Sequence, residues 1–264
     1  MRGLFTAGVL DVMMERDIKV DGIVGVSAGA CFGCNYISRQ PGRVLRYNIN
    51  MKKEPRYMGL RPLLRTGNLM DPEFAYHTLP DILDPFDKAT FAQSPVEYHV
   101  VCTDVLTGEP VYKQLTAPVD YEFMEWIRAS SSLPLVSRPV EVGGRLLLDG
   151  GMTDSIPLKY FQQQGYDHNI VILTQPKGFT KQRTKLMPLF HTFMRKYPAI
   201  IEVMNRRHLM YNAQLEYLAQ EERAGRITII APDDTLPLGR TEQNVKLMHL
   251  VYQMGRQAAK QLIR

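Results

Sequence analysis

Apolar residues recur along this chain in two rhythms. Around residues 5–16, Leu4, Val9, Leu10 and Met13 stand at helical spacing, so a helix opens almost at the first residue. Residues 20–24 are short and β-branched and read as a buried strand, and the small, apolar run 30–37 behind them reads as a helix. Residues 42–50 predict another helix, followed by a basic loop to Met70. Asp71-Pro72-Glu73 is a helix start, with Asp as N-cap, Pro in the first turn and an acid behind it. Residues 97–104 and 109–115 read as a hairpin around Thr107-Gly108, and 120–129 as a short helix that stops in Ser130-Ser131-Ser132. A second hairpin, 139–142 with 145–148, turns at Gly143-Gly144 and delivers Asp149-Gly150-Gly151. Residues 168–174 read as a strand, 197–222 as the longest helix, 226–230 as a late strand and 241–263 as a closing amphipathic helix.

Strands alternate with helices, which predicts an α/β fold: a three-layer sandwich with a mainly parallel central sheet covered on both faces. The 264 residues suit a single domain over 1–264, of which 177–264 is the more helical portion. A hydrophobic content of 45% and a charged content of 22% are those of an ordinary globular protein. No apolar run approaches 18 residues, and no basic segment followed by a continuous apolar one marks a signal peptide. Three cysteines cannot all pair with one another, which favours a reducing cytoplasm.

Charge changes the picture further. The stretches 39–65 and 177–208 each hold eight Lys/Arg and one acid. Together they carry +14 in a chain of net charge +5, so the remainder carries −9. The second stretch interleaves its cations with Met187, Leu189, Phe190, Phe193, Met194, Tyr197 and Met204, a mixture that suits peripheral contact with an anionic membrane. A solvated helix face over an ordinary core is an equally good reading of that stretch. No nucleic-acid motif accompanies the charge.

The chemistry concentrates at Gly25-Val26-Ser27-Ala28-Gly29, between the predicted strand and helix. A serine between two glycines on a strand-to-helix turn is a nucleophile elbow. The turn is expected to leave no room for a Cβ at either flank, and the helix N-terminus to offer N–H groups to negative charge forming at the hydroxyl. Serine needs a base. Asp149 is the candidate, since it leaves a strand end directly into Gly150 and Gly151. The Ser-His-Asp order would also be met by His168, His191, His208 or His249. That hydrolase fold needs several strands before its elbow, and 26 residues leave room for one helix and one strand. The histidines are therefore read as surface or packing residues. Cys31-Phe32-Gly33-Cys34 has redox-motif spacing but lies within the helix behind the elbow, where small side chains ease packing. The scattered acids Asp11, Asp84 and Asp104 suggest no metal site.

Four segments, Arg2-Gly3-Leu4-Phe5-Thr6-Ala7-Gly8-Val9-Leu10-Asp11, the elbow, Ala129-Ser130-Ser131-Ser132-Leu133-Pro134 and Asp149-Gly150-Gly151, together resemble the bacterial branch of the patatin-like phospholipases. The resemblance covers residues 1 to about 176 well and the last third loosely. It implies a Ser27–Asp149 dyad without histidine that hydrolyses acyl esters of phospholipid or acylglycerol, with no metal or other cofactor. It also implies that Arg2 and Gly3 are the tail of a glycine-rich oxyanion loop, whose preceding strand and glycines the family places before the first helix. Two expectations follow: that Met1 is not the natural start, and that the strand at 20–24 lacks a neighbour on one edge. The rival function is a catalytically silent lipid-binding or scaffold protein of the same fold.

Overall fold

The expected front of the chain forms as α1 (Leu4–Glu15), β1 (Gly22–Val26), α2 (Ala28–Ile37) and α3 (Arg43–Asn50) in the computed structural model, which describes residues 1–239 and 244–262. The expected basic loop up to Met70 differs, because it contains a 3-10 turn (Met51–Lys53) and α4 (Leu60–Thr66). α4 exposes Leu60 and Leu64, so no apolar face marked it in the sequence. Asp71 caps as expected, its Oδ1 accepting the Phe74 N–H at 3.2 Å. The helix it starts is a π-helix, Phe74–Leu83, with Pro80 inside, where proline withholds an N–H from a regular α ladder.

Next come α5 (Lys88–Gln93), β2 (Glu97–Asp104), β3 (Pro110–Leu115) and α6 (Tyr121–Ser131). Asp120 caps α6 through the Phe123 N–H at 2.9 Å. β4 (Val140–Val142) and β5 (Arg145–Asp149) form the second hairpin, where Gly143 and Gly144 both take positive φ, 58° and 69°. α7 (Leu158–Gln163), β6 (Asn169–Ile172), α8 (Met187–Phe193), α9 (Pro198–Arg223), β7 (Ile227–Ile230) and α10 (Val245–Leu262) follow. The expected closing helix over 241–263 thus begins at Val245, and residues 241–243 and 263 lie outside the described residues.

β2 is the axis. It is buried at every residue after Glu97, and its consecutive side chains meet different layers. Tyr98 faces Phe91 of α5 and Phe123 of α6, with ring centroids 6.1 and 6.4 Å away. His99 faces Tyr160 and Phe161 of α7, at 5.7 and 5.4 Å. Helices therefore cover both faces, and the α/β class read from the sequence holds. Along its edges, β2 pairs antiparallel with β3 and parallel with β1, and its last residues pair antiparallel with β5. A strand has two edges, so β1 and β5 lie end to end along one of them. β6 and β7 form a separate parallel pair. Among the described residues no further strand pairs with β1, and one side of β1 and β6 lines a common cavity.

The C-terminal helix fastens the front of the chain. A Cβ on Gly8 would run into the Tyr252 carbonyl oxygen, and one on Gly255 into that of Phe5, so α1 and α10 cross almost backbone to backbone. Asp11 of α1, raised in pKa by burial, accepts the Tyr252 hydroxyl at 2.5 Å and the Gly42 N–H at 2.8 Å. Arg256 adds a two-pronged bond to Glu15, at 2.8 and 2.7 Å. Gly255→Val should therefore lower unfolding free energy by at least the roughly 1–3 kcal/mol typical of overpacking, as read by urea denaturation. A midpoint and slope unchanged from the parent would contradict this crossing.

Candidate active site

Register along β2 builds the site. Val26, the last residue of β1, stands opposite Val101, and Asp149, the last of β5, stands opposite Cys102. Ser27 follows Val26 directly, so the two strand ends deliver a serine and an aspartate to one point. Ser27 Oγ donates to Asp149 Oδ2 at 2.6 Å.

Each partner is held. Ser27 sits at φ 56°, ψ −121°, a sparsely populated conformation for a residue with a Cβ, costing on the order of 1–3 kcal/mol. Its N–H donates to Ser130 Oγ at 3.1 Å, and that fully buried hydroxyl donates onward to the Val101 carbonyl at 2.7 Å. Gly25 allows the turn, since a Cβ there would meet the Ala30 nitrogen and the Gly29 oxygen at 2.6 Å. The matching expectation for Gly29 is corrected: a Cβ there would meet nothing within 4 Å, because Gly29 faces the open cavity. Ala28 starts α2, and the N–H groups of Ala28 and Gly29 have no acceptor among the described residues. They point the positive end of α2 at the Ser27 hydroxyl's surroundings.

Asp149 is buried, and its second oxygen, Oδ1, accepts the Gly151 N–H at 2.7 Å. Its own N–H donates to the Ser132 carbonyl at 2.9 Å, and Thr103 Oγ1 donates to its carbonyl at 2.9 Å. Gly150 lies so close to β2 that a Cβ would strike the Val101 carbonyl oxygen. Gly151 is gripped from outside, its carbonyl accepting Arg207 Nε at 2.6 Å and Ser155 Oγ at 2.7 Å.

The remaining predicted residues fall into place differently. Gly3 presses on the elbow helix, where a Cβ would come within 2.8 Å of Ala28 Cβ and Phe32. Arg2 lines the cavity shared with Ser27 and Asp149. Arg207 and Ser130 were missed as site residues. Arg207 belongs to the basic stretch 177–208, which the sequence leaves open between a lipid-facing and a solvated face, whereas it turns inward from α9 to the Gly151 carbonyl. The motif stretch 129–134 pointed at Ser130 without giving it a role. Of the histidines, His77 stacks on Tyr121 and bonds Glu125, His99 bonds Tyr160, His208 is half-buried on α9, and His168, His191 and His249 are exposed, His168 lining the same cavity as Ser27. Among the described residues, no group of three or more His, Cys, Asp or Glu is gathered as a metal ion would require.

The cavity beside the pair has a volume of about 940 Å3. One wall is apolar, with Tyr57, Met70, Tyr76, Leu79, Met124 and Ile127. The arrangement offers a hydroxyl nucleophile, a carboxylate positioned to take its proton, amides at a helix start and an apolar trough.

Residues 1–161 match the family model for patatin-like phospholipases, and residues 197–264 match a domain of unknown function, DUF6363. The chain is similar to an uncharacterized NTE family protein of Mycobacterium tuberculosis, with 31% identity over 157 residues, 60% of this chain and 41% of that protein. It is also similar to the uncharacterized protein YjjU of Escherichia coli K12, with 31% identity over 200 residues, 70% of this chain and 53% of that protein. The chain thus spans about half the length of the curated relatives it matches.

The two cysteines with redox-like spacing are free thiols on α2. Burial pushes the Cys31 thiol up to about 11 and the Cys34 thiol to about 12, so both stay protonated at neutral pH. Iodoacetamide at neutral pH should therefore alkylate both at least about tenfold more slowly in the native chain than in the unfolded one, by peptide mass spectrometry. Fast native alkylation of Cys31 would contradict this assignment.

Proposed function

We propose, from the premise that this chain belongs to the patatin-like phospholipase family, that it is a serine hydrolase of lipid acyl esters working through Ser27 and Asp149. The observation that carries the proposal is the 2.6 Å bond from Ser27 Oγ to Asp149 Oδ2, with Oδ1 tied to the Gly151 N–H. One carboxylate oxygen is thereby committed to orientation and the other to the proton.

In the proposed reaction the acyl chain lies along the apolar wall, with its ester carbonyl over Ser27. As Oγ attacks the carbonyl carbon, its proton passes to Asp149 Oδ2. The oxyanion that forms is met by the N–H groups of Ala28 and Gly29 and by the α2 dipole, with Arg2 and Gly3 at its flank. When the intermediate collapses, the carbon–oxygen bond to the leaving alcohol breaks and Asp149 returns the proton to that oxygen. An acyl-serine remains. A water then gives its proton to Asp149 and its oxygen to the acyl carbon, and the Ser27 oxygen leaves and recovers the proton. Every proton in the cycle passes through one carboxylate, and no histidine is needed.

The proposal extends to peripheral contact with an anionic lipid surface. Within 39–65 many cations are committed to intramolecular pairs: Arg39 with Asp17, Arg43 and Arg46 with Asp84, Arg56 with Glu54, and Arg65 with Asp71. The surface that best suits a membrane mixes exposed apolar and basic groups. Such groups occur as Leu60, Arg61 and Leu64 on α4, and as Leu186, Leu189 and Phe193 with Lys185, Arg195 and Lys196 around α8. Among the described residues no helix is long and apolar enough to cross a membrane.

A fluorophosphonate probe should label Ser27, and Ser27→Ala should abolish both labelling and hydrolysis of a chromogenic ester. Asp149→Asn should keep the fold, by circular dichroism, and lower kcat about 10²–10⁴-fold. Activity that survives Ser27→Ala would end this reading, and lipid binding by the parent without any hydrolysis would replace it with that of a silent lipid-binding protein. Binding to phosphatidylglycerol vesicles should weaken as ionic strength rises above about 0.1 M, where screening acts within about 10 Å. Equal binding to neutral and anionic vesicles would refute the surface contact.

A further inference from the structure

α4 stands out from the body of the protein on a closed neck. The Gly59 N–H donates to the Leu69 carbonyl at 2.9 Å, so the chain enters and leaves the helix side by side. The Leu69 N–H donates in turn to the Val136 carbonyl at 2.7 Å, and Asn68 Oδ1 accepts the Arg138 N–H at 2.9 Å. These bonds fix the neck to the segment between α6 and β4. Pro62 is buried, whereas Leu60 and Leu64, one turn apart, are 74% and 87% exposed. No other large apolar side chain among the described residues is so exposed. The charge around them is positive: residues 51–70 hold five Lys/Arg and one acid, Glu54, and Lys53 and Arg61 are exposed. The neck also borders the cavity. Met58, before α4, and Leu69 and Met70, after it, line the space that Ser27 and Asp149 line.

We propose that α4 is the element that docks this chain on lipid: Leu60 and Leu64 enter the acyl region of an anionic bilayer, and Met58, Leu69 and Met70 lead an acyl chain from there toward Ser27. This rests on the hydrolase reading and the surface contact above, and says which exposed surface meets the lipid. An amphipathic helix lying in a bilayer interface seats its apolar residues about 5–10 Å deep, while cations beside them meet lipid phosphates. A second copy of the chain suits α4 poorly. Its seven residues make about 10 Å of helix, too little for the roughly 1,200 Å2 that a stable protein interface buries. Two copies would also bring the same cations face to face. The neck decides between α4 and α8. Among the described residues none between Lys181 and Arg207 lines the cavity, so Leu186, Leu189 and Phe193 offer a bound lipid no comparable path to Ser27.

The test reads depth in the bilayer apart from turnover. In the Ser27→Ala protein, Leu64→Cys or Phe193→Cys is labelled with an environment-sensitive fluorophore at neutral pH, where burial keeps the native thiols protonated. Each labelled protein is mixed with vesicles of phosphatidylglycerol and phosphatidylcholine, with and without a nitroxide on the lipid acyl chain. The α4 label should shift to the blue and be quenched at least about twofold more than the α8 label. The double substitution Leu60→Gln with Leu64→Gln, unchanged in circular dichroism, should bind these vesicles at least about tenfold more weakly than the parent, and Leu189→Gln with Phe193→Gln less than about threefold more weakly. An α4 label that stays in water while the chain is bound, or unchanged affinity after the α4 double substitution, would overturn the docking role. No binding of the parent to these vesicles would overturn it together with the surface contact. Hydrolysis of a soluble chromogenic ester by the parent is measured alongside. Its absence would defeat the hydrolase reading on its own, whatever the labels report.

Discussion

The hydrogen bond from Ser27 to Asp149 is the contact on which everything else depends, because two strands far apart in sequence must end at the same place for it to exist. β1 runs parallel to β2 and β5 antiparallel to it, on the same edge, so that their C-terminal ends meet head on. Neither strand could slip by one residue without turning every alternate side chain to the other face. The buried run of β2, with Tyr98 packed into one helical layer and His99 into the other, sets the register for both. The site is in this sense a property of the sheet's register and only secondarily of the two loops that display it.

The local backbone is held against its own preference. Ser27 occupies a conformation a free serine would leave, and it is fixed by bonds made elsewhere: Ser130 on its N–H, the Ser130–Val101 link behind it, and the tight passage at Gly25. On the other side, the Asp149 turn is pinned by Gly151 within and by Arg207 and Ser155 without. Arg207 comes from α9, inside the segment matching the domain of unknown function, and α10 of the same segment grips α1. The two matched segments thus meet at both flanks of the site. This gives a physical reason for their occurrence in one chain.

Much of this was legible because it is local. The elbow needs only five residues in order, the cap at Asp71 needs three, and the hairpin at Gly143-Gly144 is set by backbone geometry that few residues accept. Asp149 stood out through its glycines and through the resemblance to a known family. What escaped was tertiary. Arg207 looks like one cation among eight until α9 is placed, and Ser130 looks like one serine among three until β2 supplies its acceptor. The open space at Gly29, the exposed leucines of α4 and the proline-bearing π-helix likewise depend on neighbours that no spacing reveals.

The central claim is that Ser27 is acylated directly with Asp149 as its base. The most direct measurement is the first turnover, followed by rapid quench and peptide mass spectrometry with a lipid ester. The account predicts an acyl adduct on the peptide carrying Ser27, formed at least about a hundredfold more slowly in the Asp149→Asn protein. An adduct on another residue, or acylation of Ser27 at an unchanged rate without the Asp149 carboxylate, would contradict it.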